Sequence, residues 1–379
     1  MVRKRGKNEK EPHSDQTGLA ALKGIAILLM IFHHCFLDPS RFAGHIVSFA
    51  PFSQSAIVSL SYFSKICVGI FAFISGYGLY LSAIKQPRSA KAVSGWTVSR
   101  LIKTMSGYWL VYILALITTW IYAGLPVKTY CTNGNIRGLL YGALDFLGVA
   151  SLFKTPTMNS TWWYMGAAVL FIVLVPLFIR ITEKFGYTGL CILIIMLPRL
   201  LKVGYPGSIN PYGFLLALLF GMFFAQHNVF ARFATYQPMR NKTIWRVICF
   251  LFWGALLVGI YLLCSRTERY QAWELHYAIA PVIAIVFCKQ YIIRIPVVDQ
   301  ILQFFGKHAL NIFLVHTFIR YTFFQDFTYS FKHFALICLV LFGISLGISI
   351  VIEGLKKLLH FDRFTRFLCQ KAQSAVEKI

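Results

Sequence analysis

GLAALKGIAILLMIFHHCFL, residues 18–37, is the stretch that decides the fold. It is long and apolar enough to cross a bilayer as one α-helix, which needs about 20 such residues at about 1.5 Å each. It has no small-residue cleavage site, so it reads as a retained helix and not as a signal peptide. Inside it stand Lys23 and His34. An ionisable side chain within a span is costly and points to function. Their spacing is about three helical turns, or about 16 Å, so both lie on one face at different depths. Lys23 is near the start, where its ammonium can snorkel to the interface. His34 is well inside or toward the far end. Such a stripe suits a long phosphate-bearing ligand whose reactive end reaches into the membrane. A snorkelling lysine and a histidine hydrogen-bonded between helices would give the same pattern.

The apolar signature recurs along all 379 residues, which are 58% hydrophobic and only 13% charged. Soluble domains run near about 25% charged. A β-barrel would alternate in segments of about ten residues. The expectation is therefore an all-α integral membrane protein, a bundle of about ten transmembrane helices. The spans are placed at 18–37, 57–84, 106–124, 161–180, 186–204, 208–227, 244–264, 272–292, 304–324 and 333–355. The net charge of +24 raises the question of nucleic acid, but its distribution fits topology instead. With the N-terminus inside, the inner segments hold 25 Lys/Arg and the outer ones ten, with Lys23 and Lys65 inside spans. Basic loops stay cytoplasmic, which places both termini in the cytoplasm of a multi-pass cell-membrane protein. Such loops also attract anionic lipid heads, and no nucleic-acid partner is expected.

The organisation is a basic tail at 1–17, one membrane domain at 18–356, and a C-terminal segment at 357–379. KKLLHFDRFTRFLCQKAQ, residues 356–373, reads as a cytoplasmic interfacial helix. The nine cysteines contain no Cys-x-x-Cys, so neither a disulfide framework nor a zinc site is expected, and no metal. A Cys131–Cys264 bridge is one outer pairing that the topology allows. Between 125 and 160 lies the longest outer excursion, amphipathic in its second half.

Five further stretches carry chemistry. In GIFAFISGYGLYL, residues 69–81, small residues allow close helix packing. Backbone at Ser75–Gly76 approaching a ligand is the other reading. In KQPRSAKAVSGWTVSRLIKTMSGYW, residues 85–109, Arg100 and Lys103 share a helix face at the inner boundary. Two cations there suit a pyrophosphate, and they also satisfy the positive-inside rule. In STWWYMGAAVLFIVLVPLF, residues 160–178, Trp162, Trp163 and Tyr164 open a span as an aromatic belt would. In FGKHALNIFLVHTFIR, residues 305–320, Asn311 and His316 point to different sides of one helix, with His316 mid-span. Glu274 and His276 form an acid–base pair at an outer edge, where interfacial solvation also explains them.

The order of these pieces resembles the acyltransferase-3 family, integral membrane O-acyltransferases of sugars and surface polysaccharides. The resemblance runs from Leu22 to about Val351. The opening basic residue, ten residues and histidine are matched by Lys23 and His34, with lysine where arginine is commoner. The Phe-x-x-Ser-Gly-aromatic pattern is matched around Phe73 to Tyr77, loosely ahead of Ser75. Arg100 and Lys103 match the basic Arg-x-x-Arg loop, and Gly107 replaces the usual proline. Trp163, Tyr164 and Pro176 match the third motif, but Ala168 and Val169 stand where some members carry a glutamate. Gly306, Lys307, Ile312 and His316 match the late motif, with Ala309 in place of serine.

The resemblance implies an enzyme that transfers an acyl group, most simply acetyl, from acyl-CoA to a glycan hydroxyl. Acyl-CoA would be a co-substrate, with no tightly bound cofactor. Arg100, Lys103 and Lys23 would hold the CoA phosphates, and His34 would be the general base or an acylated nucleophile. Ser75, Gly76, Trp163, Tyr164 and His316 would contact substrate or stabilise the oxyanion. The acceptor would be a cell-surface or lipid-linked glycan. A secondary transporter or polysaccharide flippase would also explain intramembrane Lys and His, but no inverted repeat supports it.

Overall fold

The computed structural model describes residues 13–131, 135–201, 210–266 and 273–378. Apart from a bridge between Ser48 and His333, every regular element among them is helical. The helices are α1 (His13–Phe36), α2 (Gln54–Phe63), α3 (Ile66–Ala83), α4 (Ala90–Ala123), α5 (Leu125–Tyr130), α6 (Asn135–Phe146) and α7 (Trp163–Leu200). They continue with α8 (Leu215–Gln226), α9 (Val229–Thr235), α10 (Lys242–Arg266), α11 (Ala280–Phe287), α12 (Pro296–Thr317), α13 (Gln325–Tyr329), α14 (Phe334–Leu358) and α15 (Phe361–Lys378). The residues expected at 1–12, 202–209 and 272 lie outside the described set.

Among the described residues seven helices are long and apolar enough to cross a membrane, or eight if the pair around Asn228, bent by 59°, is one span. The expected ten differ from this count for two reasons. The segments 161–180 and 186–204 join into α7, interrupted where Gly186 takes φ 70°. The segment 304–324 falls on α12, which carries Lys307, His308, Asn311 and His316 and is too polar to qualify. The bundle shows apolar side chains on its outer surface as well as in its core. In α10 only 11% of the most apolar stretch is buried, and Leu251, Phe252 and Val258 face away from the protein. Polar side chains such as His33, Ser61, Asn311, His316 and Arg320 are inside instead.

Without a hydrophobic drive between helices in lipid, close backbone approach at small residues sets the packing. A β-carbon on Gly24 would overlap the Leu302 carbonyl, and one on Gly306 would overlap the Ala20 carbonyl. α1 and α12 therefore cross in parallel with these two glycines level. In the same way Gly76 lies on the Leu218 carbonyl of α8, and Gly221 on the Phe73 carbonyl of α3. α4 runs parallel to α12 as well: Gly107 faces Leu310, and Tyr122 meets Phe323 with ring centroids 5.2 Å apart.

The expected outer excursion is anchored rather than loose. The Asp145 carboxylate is buried and accepts from the Tyr130 hydroxyl at 2.6 Å, the Thr157 hydroxyl at 2.8 Å and the Met158 N–H at 3.0 Å. All nine cysteines are free, and Cys131 is exposed while Cys264 is buried, so the outer bridge is not formed. The C-terminal helix α15 packs on α4. Cys369 Sγ is 3.7 Å from the Ser99 carbonyl, and Lys91 donates to the Glu377 carbonyl at 3.2 Å.

Candidate functional site

The parallel register of α1 and α12 brings two histidines together. His34 lies ten residues beyond Gly24, and His316 ten beyond Gly306, so both stand about 15 Å above the crossing. Their ring centroids are 4.9 Å apart. His34 is half-buried, and its Nδ1 is buried without a hydrogen-bond partner. His316 is fully buried. Its Nδ1 contacts the Phe313 carbonyl at 2.8 Å, which makes that nitrogen the N–H donor. Nε2 is then free to accept from the Thr317 hydroxyl at 3.1 Å. That hydroxyl is 3.3 Å from Thr161, which donates to Asn159 at 2.7 Å.

A change in helix type supports this end. After Thr317 the chain passes into a π-helical turn, Phe318–Phe323. The Phe318 N–H bonds Val315, and the Leu314 carbonyl takes the Trp162 indole N–H at 3.0 Å and the Asn159 amide at 3.3 Å. Trp162 is thus buried and structural, not part of an interfacial belt.

His33 has a different task from its neighbour. It is buried and hydrogen-bonds the Ser61 carbonyl at 2.8 Å, while the Ser61 hydroxyl donates back to the Phe32 carbonyl at 3.0 Å. This pins α2 to α1. Tyr164 is linked to the histidine pair through Phe313, whose ring lies 6.0 Å from Tyr164 and 6.4 Å from His316. Its hydroxyl is buried beside Ser75. Trp163 turns aside to Phe214, 5.8 Å between centroids. Gly76 is occupied by the contact with α8, so its small size serves packing. Asn311 points away from His316, to Ser349 at 3.1 Å and Glu353 at 2.8 Å on α14. Glu274 is held by Arg199 at 2.5 Å, and His276 is buried against Tyr62, so the expected outer acid–base pair is split.

The three expected phosphate-binding cations come from α1 and α4. Matching α1 through Gly24–Gly306 and α4 through Gly107–Leu310 puts Lys23, Arg100 and Lys103 at nearly one level. That level is about 15–20 Å below the histidine pair, counted at about 1.5 Å per residue. Lys23 and Lys103 are exposed. Arg100 reaches the Ser82 hydroxyl at the end of α3, which also takes the Trp96 indole N–H at 3.0 Å. Beside Trp96 opens a cavity of about 400 Å³, lined also by Arg88, Arg180 and Glu183. A second cavity, about 740 Å³, opens at the other end, where Pro39, Ser55, Ser59 and Tyr62 line it. Neither is lined by His34 or His316.

One residue escaped the sequence reading. Arg320 stands four after His316, on the same helix face, and is 1% exposed. Its Nε and Nη1 are buried without hydrogen-bond partners. An arginine one turn from a mid-span histidine in an apolar run was the available signal.

No curated protein and no solved structure matches the chain. The model of the acyltransferase domain matches residues 16–354 and so contains α1 through most of α14, both histidines and all three cations. A multi-pass helical membrane protein matched over that length is a membrane acyltransferase, and the chain belongs to the acyltransferase-3 family.

Proposed function

We propose that this enzyme moves an acyl group, most simply acetyl, from cytosolic acyl-CoA to a hydroxyl of a cell-surface or lipid-linked glycan at the plasma membrane. The observation that carries the reading is the depth relation: three cations at one level on α1 and α4, and an imidazole pair about 15–20 Å farther along the parallel helices α1 and α12. A long donor with phosphates at one end and a thioester at the other fits that separation. Arg100 and Lys103 would grip the pyrophosphate, with Lys23 at the same level on α1, and the cavity beside Trp96 would take the nucleotide end.

The orphaned Nδ1 of His34 is the group left to receive a proton. In the direct mechanism it takes the proton of the acceptor hydroxyl. The alkoxide oxygen then bonds to the thioester carbonyl carbon, the C–S bond breaks, and the proton passes to the departing thiolate. His316 cannot exchange roles easily, because its Nδ1 proton is held by the Phe313 carbonyl. Tyr164, joined to this pair through the Phe313 ring, and Ser75 beside its hydroxyl would supply the oxyanion donor. The topology used is ten spans with both termini cytoplasmic: α7 counts as two crossings about Gly186, and α12 as one polar crossing.

The test is the purified full-length chain in lipid nanodiscs with radiolabelled acetyl-CoA. Label should pass to glycans extracted from the host envelope, and His34→Ala should abolish the transfer. No acetyl-CoA binding and no transfer by the folded wild type would sink the reading.

A further inference from the structure

Beyond the His34–His316 pair stand two arginines, Arg41 and Arg320, and among the described residues no carboxylate pairs with the buried one, Arg320. Arg320 is fully buried. It projects from the π-helical turn that follows His316. Its neighbours are Tyr321, over whose ring it lies at 5.4 Å, and Tyr329, whose hydroxyl donates to the Cys35 carbonyl at 2.9 Å. Arg41 is half-buried in the turn Pro39–Phe42, which follows α1. Its carbonyl accepts from Gln325 at 3.5 Å, tying that turn to α13. Burial, and then the charge of Arg320, hold the Arg41 guanidinium below its ordinary value. Both charges also act on His34.

Among the described residues no carboxylate pairs with Arg320. Of the two acidic side chains described at this end, Asp38 offsets part of the Arg41 charge, and neither pairs with Arg320. Asp38 caps its own turn by accepting from the Ser40 N–H at 2.8 Å, and Asp326 holds His45 at 3.0 Å. An arginine stays protonated even when buried. An uncompensated buried charge is strongly unfavourable, and two of like sign worsen each other. A chain keeps such a pair when something else brings the negative charge. One short-lived oxyanion would call for one donor. A buried guanidinium with unpartnered nitrogens, and a second whose charge adds to it, call for an anion that stays through the cycle, and the planar fork of arginine fits phosphate and carboxylate oxygens.

We infer that Arg41 and Arg320 form a subsite for an anionic group, phosphate or carboxylate, carried by the acceptor and seated beside His34. The inference rests on the acyl-transfer reading and narrows its acceptor to an acidic or phosphorylated glycan. The anion would anchor the sugar so that a neighbouring hydroxyl faces the imidazole. Neutral sugars would lack the anchor.

The test is binding of glucose 1-phosphate, glucuronic acid and glucose to the full-length protein in neutral-lipid nanodiscs, by calorimetry. Wild type and His34→Ala should bind one of the two anionic sugars at least about tenfold more tightly than glucose, the expectation for a charge-assisted contact. The tighter of the two names the anion. Arg41→Gln and Arg320→Met should lose that margin, and Arg320→Met should raise the melting temperature of the ligand-free protein. If Arg320→Met fails to fold, Arg41→Gln on its half-buried turn carries the test alone. Equal binding of all three sugars by wild type, or an undiminished margin in Arg41→Gln, overturns the subsite. Anionic-sugar binding without any acetyl-CoA turnover would instead refute the donor reading and leave the subsite standing.

Discussion

Replacing Gly306 by alanine should cost the enzyme about a hundredfold in transfer rate although Gly306 touches no reactant. The new β-carbon would sit on the Ala20 carbonyl oxygen, with Gly24 N next to it at 3.3 Å. Backbone on both sides cannot give way as a side-chain tip would, so α1 and α12 must part by about 1 Å. The histidine rings depend on that crossing and are already 4.9 Å apart between centroids. Proton transfer tolerates a heavy-atom window of only about 2.6–3.2 Å, so such a shift takes His34 out of reach. Misplacement of that size is worth about 10²-fold, and the overpacking itself about 1–3 kcal/mol of stability. The assay is the initial rate of CoA release in nanodiscs, with the melting temperature read in parallel. Gly24→Ala, which strikes the Leu302 carbonyl, should behave alike. Gly343→Ala on α14, with no atom within 4 Å of its β-carbon, should be nearly silent. A folded Gly306→Ala enzyme at more than half the wild-type rate would refute the lever argument, as would equal damage from Gly343→Ala.

Other outcomes follow from the same geometry. His34→Ala should abolish transfer in a folded protein, whereas His33→Ala should lose about 1–3 kcal/mol of stability by leaving the Ser61 carbonyl unpaired, and keep chemistry; the reverse pattern in rate and thermal-melt measurements would reject the assignment. Arg100→Gln or Lys103→Gln should weaken CoA binding by about 10–150-fold, equivalent to about 1.5–3 kcal/mol, while exposed Lys85→Gln should change little; equal losses in direct CoA-binding titrations would indicate a diffuse field instead. A reporter fused after Ile379 should be active only when it is of the kind that works in the cytoplasm, and strong activity of the opposite kind would invert the topology.

Much of the bundle was legible because the bilayer imposes its own length and polarity on each helix. The places that were not legible are specific. Gly186 carries no sign of whether it ends a helix or merely bends one. The crossing at 304–324 was placed from its apolar run, although α12 as a whole is too polar to pass on composition. Lys23, His34, Arg100 and Lys103 stood out because charge inside or beside an apolar run is conspicuous. What no spacing rule supplies is register between helices: only the mutual overlap of Gly24 and Gly306 explains why His34 meets His316. Tryptophan and tyrosine misled for the opposite reason. An indole at a span end looks the same whether it faces headgroups or, like Trp162, bonds the Leu314 carbonyl of a neighbouring helix. Arg320 was hidden by its position at a span edge, where an arginine is ordinarily solvated.

The seating of α15 on α4 has a mechanical consequence. α15 lies beyond the family match at 16–354, yet Cys369 and Glu377 press on the same helix that presents Trp96, Arg100 and Lys103. It therefore works as a splint. The inner turns of α4 cannot swing without carrying the C-terminus along, and one flank of the cationic stripe is walled off. Arg100 turns the other way, to Ser82 beside Trp96 and the cavity of about 400 Å³, and no residue of α15 lines that cavity.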